Sequence, residues 1–361
     1  MNLSQRAKFW MVTLIIVLAS CFGGIFGNWI FIYFMDAYYG IPAGYYGSEP
    51  LPVSSAGRNL SAKDFAAANE AVALSSEAEA SLVGIFQRLP AGQPARYLPK
   101  DKAAEAVVLT ADGWLLLVKP LPQSPGGIKD FVVVTSDQKT YDIDRSVSDS
   151  VAQVSFLHLA KASNLPARDF RPSSELSVGQ NIFGIEWRGT VERGLISRLP
   201  AEVRSSDRSI ETFAVSGLSG QDLFLFDGQS RLSGFMRGPV AIAADSVRLL
   251  MDKVLAEGAI RRPALGLNYL NLAAVANTNQ SGWLLAPRGK EPAVVAGGAA
   301  ARGGLQAGDI ITRFDNLSLG KTSDLALLLA PHKPGDTVVI EYSRQGESRK
   351  TAIVLDQLTA K

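Results

Sequence analysis

Cysteine occurs once in this chain of 361 residues, at Cys21, and histidine only twice, at His158 and His332. A single thiol excludes any disulfide within the chain. Three such side chains, far apart in sequence, cannot supply the ligand sets of structural or catalytic zinc, so no metal and no other cofactor is expected. Neither sign of charge is in excess: 36 Lys and Arg against 34 Asp and Glu leave a formal charge of +2. A body so close to neutral lacks the basic surface that phosphate neutralisation requires, which argues against nucleic-acid binding. There is no G-x-S-x-G elbow, no P-loop and no metal-binding motif. Glycine and proline, by contrast, are plentiful at 33 and 18 residues, which favours a turn-rich, mainly β body over a helical bundle.

Residues 9–35 read FWMVTLIIVLASCFGGIFGNWIFIYFM, 27 residues without a charge. At 1.5 Å per residue such a run crosses a hydrocarbon core of about 30 Å with some tilt, and it is read as a transmembrane helix. Arg6 and Lys8 precede it and Asp36 follows it, so residues 1–8 are expected to be a cytoplasmic tail and the body to be extracytoplasmic, on the periplasmic or cell-surface side. Trp10, Trp29, Tyr33, Tyr38 and Tyr39 fit interfacial belts. A rival reading is that Leu18-Ala19-Ser20-Cys21 resembles a lipobox, but 14 further apolar or neutral residues after Cys21 favour a spanning anchor. Gly23 and Gly27 form a small-xxx-small pair suited to helix packing.

Residues 36–80 read as a tether followed by a helical segment, with Ser61 and Asp64 forming a capping box. Residues 81–260 carry short runs such as LVGIF, VVLTADGWLLLV, FVVVTS, NIFGIEW, TFAVSG and LFLFDGQSRLSGF, separated by turn residues in the manner of a barrel or sandwich. They close on a helix over residues 245–257, in which Val247, Leu250, Met251, Val254 and Leu255 are placed on one face and Gly258 supplies the stop. Residues 261–361 read as a second module.

The second module begins RRPALGLNYLNL and continues through GWLLAPRGKEPAVVAGGAAARGGLQAGDIITRFDNLSL and SDLALLLAPHKPGDTVVIEYSR. Together with ADGWLLL, SSELSVGQNIFGIEW and DSVRLLMDKVLAEGAIRR upstream, these segments resemble the HtrA/Deg family, over roughly residues 76–356. The resemblance implies an N-terminal transmembrane helix, a chymotrypsin-like double β-barrel over 81–260 and a C-terminal PDZ domain over 261–361. It also implies where a catalytic triad should be. Counting eight residues from Asp112 puts Pro120 in the histidine slot; AQVSFLHL puts Gln153 in the aspartate slot; counting back from Gly234 puts Gln221 in the serine slot, with Asp222 and Leu223 where oxyanion glycines should be. Proline and amides can neither take a proton from a hydroxyl nor steady an imidazolium. Ser219 is the nearest hydroxyl to the nucleophile slot, and His158 lies far along the chain from the histidine slot.

The resemblance implies that Ala264-Leu265-Gly266-Leu267 is a carboxylate-binding loop, with Leu328 and Leu329 on the facing helix, which Ser323 caps. The expected function is that of a membrane-anchored pseudoprotease, holding peptide or protein C-termini in its PDZ domain as a scaffold or adaptor in envelope protein quality control. The alternative is a serine endopeptidase with a non-standard site near Ser219 or one completed by a partner subunit. Family barrels assemble as trimers, so a homo-trimer or a hetero-oligomer with an active HtrA-like protease is also expected; a bare spacer role for the barrels remains open.

Overall fold

A computed structural model of the protein describes residues 76–90, 96–199, 203–208, 210–220, 222–275, 280–319 and 325–358. All of these belong to one compact unit, Asp64–Lys361. The expected transmembrane helix with Cys21, Gly23 and Gly27, the tether to residue 75, Gln221 and Ser323 lie outside the described residues. Among the described residues no helix is long and apolar enough to cross a membrane. The end of the expected helical segment, residues 76–80, is helical.

Twelve strands form two closed antiparallel barrels. The first contains β1 (Leu82–Gln87), β2 (Ala104–Val108), β3 (Trp114–Leu117), β4 (Phe131–Val134), β5 (Thr140–Asp149) and β6 (Val154–Leu159), in the order β1-β2-β3-β6-β5-β4. The second contains β7 (Asn181–Ile185), β8 (Val191–Arg198), β10 (Thr212–Ser216), β11 (Phe224–Phe226), β12 (Leu232–Arg237) and β13 (Val240–Ala243), in the order β10-β13-β12-β11-β7-β8. Between β8 and β10 lies the two-residue strand β9 (Arg204–Ser205), which joins neither barrel.

The strands of the first barrel are apolar on both faces because each face meets a core. Val83, Ile85, Ala106, Val108, Leu115, Leu117, Val133 and Leu157 fill the barrel. Leu82, Phe86, Val107, Leu116 and Phe156 face outward into a layer shared with Trp187, Phe224, Phe226 and Phe235 of the second barrel. That double burial explains why these segments read as continuous apolar runs instead of alternating ones. Trp187 sits at the centre of this layer, 2% exposed, with its ring edge-on to Phe86 at 5.5 Å. Gly84 leaves room for it: a Cβ there would stand 2.6 Å from the indole.

Helix α1 (Ala244–Glu257) closes the barrels, ending on Gly258 in the left-handed conformation. Val247, Leu250, Met251 and Val254 bury into the shared layer. Leu255, read from the sequence as part of that face, is instead 54% exposed. Its place beside Val254 turns it one step off the buried stripe of a 3.6-residue helix, and Lys253 takes the buried position on the other side.

The C-terminal module consists of β14 (Pro263–Ala264), β15 (Asn268–Asn271), β16 (Trp283–Leu285), β17 (Ile310–Phe314), β18 (Leu317–Ser318), β19 (Thr337–Arg344), β20 (Glu347–Val354) and β21 (Asp356–Gln357), with the short helices α2 (Ala299–Arg302) and α3 (Leu325–Leu329). Its main sheet runs β20-β19-β17-β16-β15, and β9 from the barrel region continues it as the strand beyond β15. A boundary at residue 260 therefore divides the chain but not the hydrogen bonding.

If the interbarrel layer holds the two barrels together, Trp187→Ala should cost about 3–5 kcal/mol by removing one of the two tryptophans packed in it. Thermal unfolding followed by tryptophan-independent far-UV circular dichroism should show an earlier barrel transition.

Candidate functional site: the interbarrel cleft and the PDZ carboxylate loop

In the interbarrel cleft, the sequence reading asks whether a hydroxyl meets a base. Ser219 follows β10, and its Oγ donates to Glu192 Oε1 of β8 at 2.6 Å while its amide donates to Oε2. These two donors, with the Gly220 amide, hold the Glu192 carboxyl below its ordinary range. A carboxylate stabilised in its ionised form is a weaker base, so this contact fixes the loop and does not activate the hydroxyl.

His158, in β6, places Nδ1 2.7 Å from Asp144 Oδ1 and 3.4 Å from the Arg145 guanidinium, with its ring edge-on to Trp114 at 5.0 Å. Its ring contacts are thus an acid, a cation and an indole, and it is not brought to Ser219. His332 lies in the C-terminal module beside Asp315 and Phe314.

Pro120 is exposed in the stretch after β3, and Gln153 is exposed with φ 50° in the turn before β6. Between their segments stands a residue the sequence reading missed. Arg237, at the end of β12, donates to the carbonyls of Ala152, of Gln153 at 3.0 Å and of Val118 at 3.4 Å. One guanidinium of the second barrel thereby ties two segments of the first, a task suited to its planar fork of donors. Lys119 and Asp222 pair across the same region at 3.5 Å. Leu223 and Phe224, which follow Asp222, are fully buried, Leu223 in the core of the second barrel and Phe224 in the layer between the barrels. Nothing in the sequence pattern of LSGFMRG distinguishes Arg237 from a surface arginine.

The loop expected to hold a carboxylate, residues 264–267, is preformed. Gly266 has φ +77°, a conformation that lets consecutive amides turn toward one point. The loop carbonyls are held from behind: Leu265 O accepts from Ala300 N at 2.8 Å and Gly266 O from Val295 N at 2.8 Å. The amides of Leu265 and Gly266 are left facing the groove, and both are engaged: they donate to Asp207 Oδ1 and Oδ2 at 2.8 and 2.9 Å. Burial pushes the Asp207 carboxyl up, opposed by donation from Ser206 and the two loop amides. Beside it, β9 pairs antiparallel with β15, Ser205 opposite Asn268 and Arg204 opposite Tyr269. Ala264 is buried in β14, while Leu265 and Leu267, at 0% and 1% exposure, belong to the module's core. Leu329 is likewise core, whereas Leu328 is half-buried against it. Leu329 and Ala330 border Ser206 and Asp207 across a residual cavity of about 20 Å³.

Further contacts seat the module against the barrels. Arg262 grips Asp149 of β5 with two bonds of 2.8 Å, Lys253 Nζ donates to His332 O at 2.7 Å, and Lys333 pairs with Glu257 at 2.8 Å.

The PDZ-domain family matches residues 276–355. Serine protease Do-like HtrA of Lactococcus lactis subsp. cremoris (strain MG1363) is 28% identical over 225 residues, 53% of this chain and 55% of that protein. The probable periplasmic serine endoprotease DegP-like of Hahella chejuensis (strain KCTC 2396) is 28% identical over 277 residues, 70% of this chain and 56% of that protein. The chain thus spans about half the length of the curated relatives it matches. Among solved structures, the HtrA-type protease AlgW with tripeptide matches at a TM-score of 0.52 and 18% identity, and AlgW with decapeptide at 0.51 and 19%; each match covers 80% of this chain and 98% of the other. These likenesses carry the double barrel followed by a PDZ domain.

Two outcomes follow for the cleft. A fluorophosphonate probe should leave Ser219 unlabelled, and casein turnover should be absent from wild type and from Ser219→Ala alike. Arg237→Ala should cost about 1.5–3 kcal/mol, the range for hydrogen bonds to a charged group, read as a lower urea midpoint.

Proposed function

We propose that this chain, an HtrA/Deg-type protein by its sequence likeness and its fold, is a pseudoprotease that binds peptides through its PDZ domain as a membrane-anchored scaffold or adaptor. The observation that carries the reading is the loop at Leu265 and Gly266, whose two backbone N–H groups converge on a carboxylate. Such a pair recognises the charge and position of an anion without depending on side chains, and the adjoining edge of β15 accepts an extended chain in antiparallel register. Hydrolysis finds less support: the one hydroxyl near the expected nucleophile position leans on a carboxylate, and the imidazole of His158 is engaged in another part of the first barrel. The charge-free run at residues 9–35 supports an anchor with the body extracytoplasmic. An adaptor role in envelope quality control accords with the family and with a module that holds chain ends.

The test uses the full-length protein in detergent and fluorescein-labelled peptides with apolar C-terminal residues. Free-carboxylate peptides should bind measurably, and their C-terminal amides about tenfold or more weaker, since the amides cannot give both loop N–H groups a charged acceptor. Gly266→Asp should abolish binding, because it strains a positive-φ position and sets a like charge beside the ligand. Equal binding of acid and amide, or binding that survives Gly266→Asp, would overturn the reading.

A further inference from the structure

The loop that should hold an incoming carboxylate already holds one from its own chain. Asp207 is not a chain end; its side chain supplies the two oxygens that a terminal carboxylate would, one on each of the Leu265 and Gly266 amides. The residues before it complete the imitation. Ser206 N donates to Leu267 O at 2.9 Å, Leu267 N donates back to Ser206 Oγ at 3.3 Å, and Ser205 and Arg204 run antiparallel along β15. Ser206 is 3% exposed and only about 20 Å³ is left between this segment and Leu329, while on the segment's other side an open cavity of about 600 Å³ is bordered by Ser205, Asp207, Gly266, Pro292 and Val295. The loop's own carbonyls are tied to Val295 and Ala300, so its shape does not depend on the segment that fills it. That segment comes from the connection between β8 and β10 of the second barrel.

We propose that Arg204–Ser205–Ser206–Asp207 is an internal ligand of the PDZ groove, so that an external carboxylate reaches the Leu265 and Gly266 amides only by displacing Asp207 from them. This rests on the peptide-binding reading above and adds to it a regulated site and a ligand class. What the groove reads is a carboxylate at the end of a paired strand, one residue beyond a small hydroxyl side chain, whether that carboxylate belongs to an Asp side chain or to a chain terminus. A tethered competitor acts at an effective concentration set by its short connection, which in the millimolar range lowers the apparent affinity of a micromolar ligand by a large factor.

The experiment compares full-length wild type with Asp207→Ala and with the isosteric Asp207→Asn, each checked by circular dichroism for an unchanged fold. Hydrogen exchange over residues 264–268 reports docking without any ligand. The binding probe is a C-terminally amidated peptide Val-Arg-Ser-Ser-Asp-Arg, copying residues 203–208 and labelled at its N-terminus with a tetramethylrhodamine, in which the Asp side chain is the peptide's sole carboxylate; the Asp-to-Asn analogue carries the same dye. Expected are amides 265–267 protected in wild type and exchanging at least about tenfold faster in both variants. The probe should bind the variants about tenfold or more tighter than wild type, its Asp-to-Asn analogue should fail to bind, and a free-carboxylate peptide should compete with it. Equal exchange in wild type and variants, or equal probe affinity, would overturn the internal ligand. If the variants expose the loop and bind the probe but free-carboxylate peptides do not compete, the internal ligand stands and the proposed recognition of chain ends falls.

Discussion

Two backbone amides that point the same way need acceptors, and in this protein the two oxygens of the Asp207 carboxylate supply them. The amides of Leu265 and Gly266 cannot turn inward, because the carbonyls flanking them are tied to Val295 and Ala300 and the positive φ of Gly266 fixes their direction. Left in the groove without an acceptor they would face either water or a ligand. Docking Asp207 there brings β9 onto the open edge of β15, which covers an edge that would otherwise invite other strands. Around this contact the Arg262–Asp149 pair, the Lys253–His332 bond and the Lys333–Glu257 pair set the PDZ module against the first barrel and α1.

The interbarrel region obeys a related logic with the signs exchanged. Carbonyls at Val118, Ala152 and Gln153 converge from two segments of the first barrel, and Arg237 supplies the donors from the second. A guanidinium can satisfy several acceptors at once but cannot serve as a base at neutral pH, so the side chain that joins the barrels here contributes cohesion and no proton chemistry. Ser219 and Glu192 repeat the pattern on a smaller scale, a hydroxyl and amide tethered to a carboxylate that prefers to stay ionised. Both polar clusters in the second barrel thus restrain loops.

Much of the framework was legible from local pattern. The runs LVGIF, FVVVTS and TFAVSG became β1, β4 and β10, and Gly258 ended α1 where a left-handed cap was expected. The continuous apolar character of β1 to β3 hid which face met which core, since a strand buried on both sides carries no alternation to read. Leu255 illustrates the limit on helices: one residue along the chain turns a side chain about 100° around the axis, enough to leave the buried stripe. Leu265, Gly266 and Leu267 stand next to one another in the sequence, and the structure turns the first two amides onto one carboxylate.

The sequence by itself determined the strand-rich body, the closing helix and the scarcity of imidazole, because each is written in spacing or composition over a few adjacent residues. Only the tertiary structure decided that Asp207 fills the loop and that Arg237 spans the barrels. Asp207 lies 58 positions from Leu265, and Arg237 lies 119 from Val118. Separations of that length leave no periodic trace in a chain. A charged side chain in a short polar stretch reads the same whether it meets water or a distant backbone, and the folding of the barrels makes the choice.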